Sequence, residues 1–140
     1  MRVLIIDDSR ANRMVLQKFM KEFGFESVEA ESGLDAIWAL KRNADIDLIT
    51  VDYNMPRMNG VQFARLVREK PELSHIPILM ITSENTAERQ EEAFEAGVNE
   101  FLMKPFNKEM IEAKLDALGL NKKGPETKES GDPSQSEDDW

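Results

Sequence analysis

Apolar residues in this chain fall into short unbroken runs, separated by longer stretches in which they recur every three or four positions. The runs at 3–6, 48–51, 78–81 and 101–103 read as strands buried on both faces. A weaker strand lies near 27–30, where Val28 and Ala30 alternate with polar residues. Between the strands the period lengthens. Ser9 is a good N-cap, Ala11, Val15 and Phe19 share a helical stripe widened by Met20 and Phe23, and Gly24 fits a helix stop. Ala36, Ile37, Ala39 and Leu40 indicate a second helix ending near Asn43. Asn59-Gly60 turns the chain into a third helix, carrying Val61, Phe63, Ala64, Leu66 and Val67 and closed by Pro71. The acid-rich segment 87–96 is a fourth helix with Phe94 its one large apolar residue, and it stops at Gly97. The fifth, 107–118, places Met110, Ile111, Leu115 and Leu118 on one face. Alternation of this kind predicts an α/β fold, a five-stranded parallel sheet with helices on both faces.

Composition narrows the picture. A chain of 140 residues, 41% hydrophobic, supports one globular domain, expected at 1–119. From 120 to 140 the chain turns polar and acidic, with Trp140 the last apolar residue, and disorder is expected there. No run approaches the roughly 18 apolar residues of a membrane span, so no membrane insertion is expected. The first apolar run is too short for a secretory signal, and a cytoplasmic protein is expected. Without cysteine there are no disulfides, thiolate nucleophiles or zinc ribbons, and His75 alone, expected in a loop, cannot build a histidine-rich metal site. A net charge of −9 argues against nucleic acid as a partner and favours partners with basic surfaces.

The chemistry sits where the apolar runs end. In an open parallel sheet the carboxyl ends of the strands face one crevice. Asp7-Asp8 follows the first run, Asp52 the third, Thr82 the fourth and Lys104-Pro105 the last. Three carboxylates gathered there repel one another and suit Mg²⁺, while a single ammonium and a hydroxyl suit phosphoryl oxygens. Asp52 is the expected nucleophile, giving an acyl phosphate. Asp8 and Asp52 are the expected direct metal ligands, with Asp7 acting through water and the backbone carbonyl of Asn54 completing the set. Lys104 would pair with one phosphoryl oxygen and the Thr82 hydroxyl would donate to another. Singly, each residue has a plainer reading: Asp7-Asp8 as a solvated loop, Thr82 as the N-cap opened by Thr-Ser-Glu-Asn. Their conjunction at the ends of different strands is what points to a site.

On Ile5-Ile-Asp-Asp-Ser-Arg10, Val51-Asp-Tyr-Asn-Met-Pro-Arg-Met-Asn-Gly60, Ile81-Thr-Ser-Glu84 and Phe101-Leu-Met-Lys-Pro-Phe106, the chain resembles the receiver domain of two-component response regulators over 1–119. Among receivers it is most similar to single-domain, chemotaxis-type (CheY-like) regulators. The resemblance implies a flavodoxin-like fold with strand order 2-1-3-4-5. It implies a switch, not an enzyme, to which a sensor histidine kinase or a histidine phosphotransfer protein donates a phosphoryl group. The acceptor is Asp52, with Mg²⁺ or Mn²⁺ bound. Thr82 and Phe101 would carry the switch, Asn54 and Glu84 would tune dephosphorylation, and Pro105 would follow a cis peptide bond. A downstream protein would bind the face formed by 87–96, Phe101 and 107–118, and the chain is expected to be a monomer. Phe101 stands where many relatives have tyrosine, so no hydroxyl is available from that ring.

Two alternatives stay open at this level. The chain could be a receiver whose output domain follows residue 140, the tail then being a linker. It could instead be a small-molecule phosphohydrolase working through an aspartyl-phosphate. Against the latter, Asp7-Asp8 lacks the Asp-x-Asp spacing of haloacid-dehalogenase-type enzymes, and no insertion is long enough to cap a substrate. Arg10, Arg13, Lys18 and Lys21 read as a solvated basic helix face, or as a docking surface for an acidic kinase or phosphotransfer protein, and Trp38 as partial packing.

Overall fold

The computed structural model describes residues 1–84 and 86–121, so all but the first two residues of the expected tail lie outside it. Strands β1 (Arg2–Ile6), β2 (Glu26–Ala30), β3 (Leu48–Val51), β4 (Ile78–Thr82) and β5 (Glu100–Met103) alternate with helices α1 (Arg10–Glu22), α2 (Gly33–Arg42), α3 (Gly60–Glu69), α4 (Ala87–Glu95) and α5 (Lys108–Ala117). All strand pairs are parallel, in the order β2-β1-β3-β4-β5. The expected five-stranded α/β architecture is therefore present, with that strand order.

The pleat divides the core in two. Successive side chains point to opposite faces of a strand. Leu4 and Ile6 of β1, with Ile49, Val51, Ile78, Met80 and Phe101, meet Ala36, Leu40, Phe63, Ala64, Val67 and Ala93 of α2, α3 and α4. Val3 and Ile5, with Leu48, Leu79, Ile81 and Leu102, meet Leu16, Met20, Ile111 and Leu115 of α1 and α5. Alternating apolar residues facing two helix layers explains the unbroken strand runs. Phe94 is about half exposed, and α4 buries Ala93 instead.

Each helix opens on a side chain that accepts from a first-turn N–H: Ser9, Ser32, Asn59, Thr86 and Asn107. Asn59 and Gln62 form a reciprocal capping box. Thr86, not Thr82, caps α4, so the plainer reading of Thr82 fails. Thr82 is the last residue of β4. His75 lies, exposed, in the turn before β4, and Trp38 is more exposed than buried, with the Lys41 ammonium 5.3 Å from its ring centre.

Candidate functional site

Five parallel strands bring their carboxyl ends to one edge of the sheet. The Asp52 N–H donates to the Ile6 carbonyl at 3.1 Å, the Asp7 N–H to Ala30 at 3.1 Å and the Lys104 N–H to Thr82 at 3.0 Å. Ladder bonds thus fix the backbone of each charged residue one position beyond its strand. Asp7, Asp8 and Asp52 each place a carboxylate oxygen within 4.8 Å of the others. Lys104 Nζ lies 2.9 Å from Asp7 Oδ2 and 2.9 Å from Asp52 Oδ2. Asp7 and Asp52 are buried, Lys104 is partly buried and Asp8 is exposed.

The electrostatics follow from that geometry. Burial pushes the Lys104 ammonium down, but its hydrogen bonds to Asp52 and Asp7 and their charges outweigh burial and hold it above its ordinary value. Lys104 is therefore a cation throughout the neutral range. The remaining oxygens of its two partners are also occupied. Asp7 Oδ1 accepts from the Ser9 N–H at 2.9 Å, and Asp52 Oδ1 from the Asn54 N–H at 3.2 Å. Gly60 belongs to the same construction, because a Cβ there would collide with the Asp52 carbonyl and crowd Met80.

The other sequence-derived residues sit around this centre. Thr82 is fully buried, and its Oγ1 accepts from the Glu84 N–H at 3.2 Å. Asn54 Nδ2 donates to Glu84 Oε2 at 3.2 Å, so those two side chains meet across the rim. Arg89 Nε is 3.8 Å from Glu84 Oε1, and its guanidinium stacks 4.7 Å from the Tyr53 ring centre. Phe101 is buried in the core on the side that α2, α3 and α4 cover, in register with Met80. The Lys104–Pro105 peptide bond is cis. A cavity of about 350 Å³ between α2 and α3, lined by Ile37, Leu40, Phe63, Val67 and Leu73 among others, includes none of these residues.

Two arginines escaped the sequence reading. Arg13, read as part of a solvated basic face or of a docking surface, is only 12% exposed in its side chain and pairs through Nε with Glu29 at 2.9 Å. Its Nη1 donates to the Asp7 carbonyl at 2.6 Å. Arg68 bonds four oxygens at the opposite end of the sheet: the carbonyls of Gly97, Ser74 and Ile76, and Asn99 Oδ1. Their acceptors are mostly backbone carbonyls, which leave no trace in a sequence.

The donor set suits a hard divalent cation. Its three carboxylates converge and Asp8 is open to solvent, a set of hard oxygen donors of the kind Mg²⁺ takes.

Comparison with known proteins agrees in fold and family. The family model described as response regulator receiver domain matches residues 3–116. Chemotaxis protein CheY-3 of Vibrio cholerae is 39% identical over 119 residues, covering 84% of this chain and 91% of that protein. Chemotaxis protein CheY1 of Helicobacter pylori is 38% identical over 123 residues, 86% of this chain and 99% of its own. Among solved structures, Vibrio cholerae chemotaxis protein CheY4 superposes with a TM-score of 0.78 at 33% identity, covering 83% of this chain and 96% of that one.

Proposed function

The chain belongs to the response regulator receiver domain family, and from that premise we propose that it is a phosphorylation-operated switch with Asp52 as the acceptor. One observation carries the reading: Lys104 bridges Asp7 and Asp52 while three carboxylates converge within 4.8 Å. Receivers are signalling switches and hold Mg²⁺ in an acidic pocket. Here Asp8 and Asp52 would hold it directly, with the Asn54 carbonyl, and Asp7 through water. Bound Mg²⁺ supplies positive charge to the transferring phosphoryl oxygens.

This chain's residues do the rest. A carboxylate oxygen of Asp52 attacks the phosphorus of a phosphohistidine on a sensor kinase or phosphotransfer protein. A new P–O bond forms, the P–N bond breaks, and the imidazole nitrogen leaves with its electron pair. Lys104, released from Asp52, turns to one phosphoryl oxygen, and the Thr82 hydroxyl exchanges its Glu84 contact for donation to another. Thr82 and Phe101 lie in adjoining strands, so motion of the first opens space for the second. The consequence is read by a protein on the α4-β5-α5 face, where Phe94 and Met110 are already exposed. Asn54 and Glu84, joined at the rim, stand where hydrolytic water must approach. The similarity to the CheY proteins supports a chemotaxis-type role. The receiver is residues 1–119.

The test is intact-protein mass after incubation with acetyl phosphate. We expect a Mg²⁺-dependent gain of one phosphoryl group that is labile to hydroxylamine and absent in Asp52→Asn. If the wild type gained nothing and also failed to bind beryllofluoride with Mg²⁺, the reading would be wrong. Multiple turnover of a stable phosphate ester would favour a phosphohydrolase instead.

A further inference from the structure

Asp8 hangs from a loop, not from the ladder, yet the proposed site needs its carboxylate held against Asp52. Asp7 is fixed through its N–H to Ala30 and through both carboxylate oxygens. The Ser9 N–H bond to Asp7 Oδ1 closes a turn around Asp8, and a second hold on the Asp7–Asp8 peptide plane is the bond that the Asp7 carbonyl accepts. Its donor is Arg13 Nη1 at 2.6 Å. Arg13 projects from the first turns of α1, and Glu29 of β2 holds its other edge through Nε at 2.9 Å. A guanidinium presents its donors in a rigid fork, so one side chain serves two divergent acceptors. We infer that Arg13, backed by Glu29, is a positioning residue for divalent metal binding, acting through the Asp7–Asp8 peptide and not by touching the ion. The inference rests on the switch reading above.

Two explanations of an Arg13 effect differ in sign. As a nearby positive charge, Arg13 opposes a divalent cation, and removing it would tighten binding. As the group that fixes the loop, it favours the cation, and removing it weakens binding. Partners of metal ligands typically change affinity by about 10–100-fold when lost. Lysine separates the two effects further, because it keeps the charge and loses the fork.

The experiment is calorimetric titration of Mg²⁺ into the full chain, without phosphodonor. It compares the wild type with Arg13→Ala, Arg13→Lys and Glu29→Ala, after thermal unfolding in chelator shows each is folded. We expect about ten-fold weaker Mg²⁺ binding for both Arg13 variants and a smaller loss for Glu29→Ala. The Asp8 amide resonance should shift in metal-free Arg13→Lys, because the carbonyl preceding it has lost its donor. A wild type that binds Mg²⁺ together with an Arg13→Lys that binds equally well would overturn this inference alone. So would tighter binding by Arg13→Ala. A wild type that binds no Mg²⁺ would overturn the switch reading and this inference with it. If Arg13→Ala does not fold, Arg13→Lys and Glu29→Ala decide the matter.

Discussion

Lys104 is the residue on which the metal-free site balances. Two largely buried carboxylates share its ammonium at 2.9 Å each. Removing one member of a buried pair leaves uncompensated charge and costs about 3–5 kcal/mol. Lys104→Met should therefore lower stability by about 3 kcal/mol in chelator, yet remain folded. It should also recover more than the wild type does when Mg²⁺ is added, because the ion replaces the missing charge. Denaturant titration with and without Mg²⁺ measures both. The pH dependence has a definite sign. Because the folded-state value of Lys104 is raised, its contribution is complete below its ordinary value of 10.5 and is lost only as pH rises through the higher folded value. In the wild type Lys104 itself should add no slope to stability from about pH 6 to 9, and a slope attributable to Lys104 in that window would contradict the assignment.

At the scale of elements, Arg68 joins what the chain separates. From α3 it bonds the turn before β4 through Ser74 and Ile76, and the turn before β5 through Gly97 and Asn99. Asn99 Oδ1 also accepts from the Ile78 N–H, tying the start of β4 to the same knot. Burial lowers the Arg68 guanidinium from its ordinary value, and the oxygens around it are the compensation. Arg68→Ala should cost about 1–3 kcal/mol, since the part-buried carbonyls of Gly97 and Ile76 lose their donor while Ser74 and Asn99 stay open to water. Arg68→Lys should recover little. Gly97→Ala should be nearly as harmful, because its φ of 105° disfavours a side chain and the Cβ would meet Arg68. Chemical denaturation of the three variants checks this. Of this knot only Gly97, read as a helix stop, was legible in the sequence. The strands and helices were, because unbroken and periodic apolar runs report burial directly. Asp7, Asp52 and Lys104 were also legible, because a parallel sheet forces residues just beyond its strands to one edge. Arg13 and Arg68 were not, because every residue has a carbonyl and none advertises which one is unpaired. Thr82 was misleading when taken alone, since a threonine before a helix looks the same at the end of a strand or at a cap.

Across the whole molecule, the sheet has a charged end and a fastened end. Three carboxylates and one ammonium stand beyond the carboxyl ends of the strands, while the Arg68 knot closes the amino ends of β4 and β5. Ligand binding at the charged end should stabilise the entire domain by linkage, about 2.7 kcal/mol at a hundred times the dissociation constant. Thermal unfolding should therefore shift upward with Mg²⁺ in the wild type and much less in Asp8→Ala. Asp8 is exposed, so its replacement costs little by itself. The same division has a consequence for how such a chain can change over generations. The Asn54–Glu84 contact lies on the exposed rim, and surface exchanges of that kind alter stability by only about 0.5 kcal/mol. In the switch proposed above, the lifetime of the signal would then be reset one rim residue at a time, as a clock is regulated at its pendulum, while the frame that keeps the chain folded stays as it was.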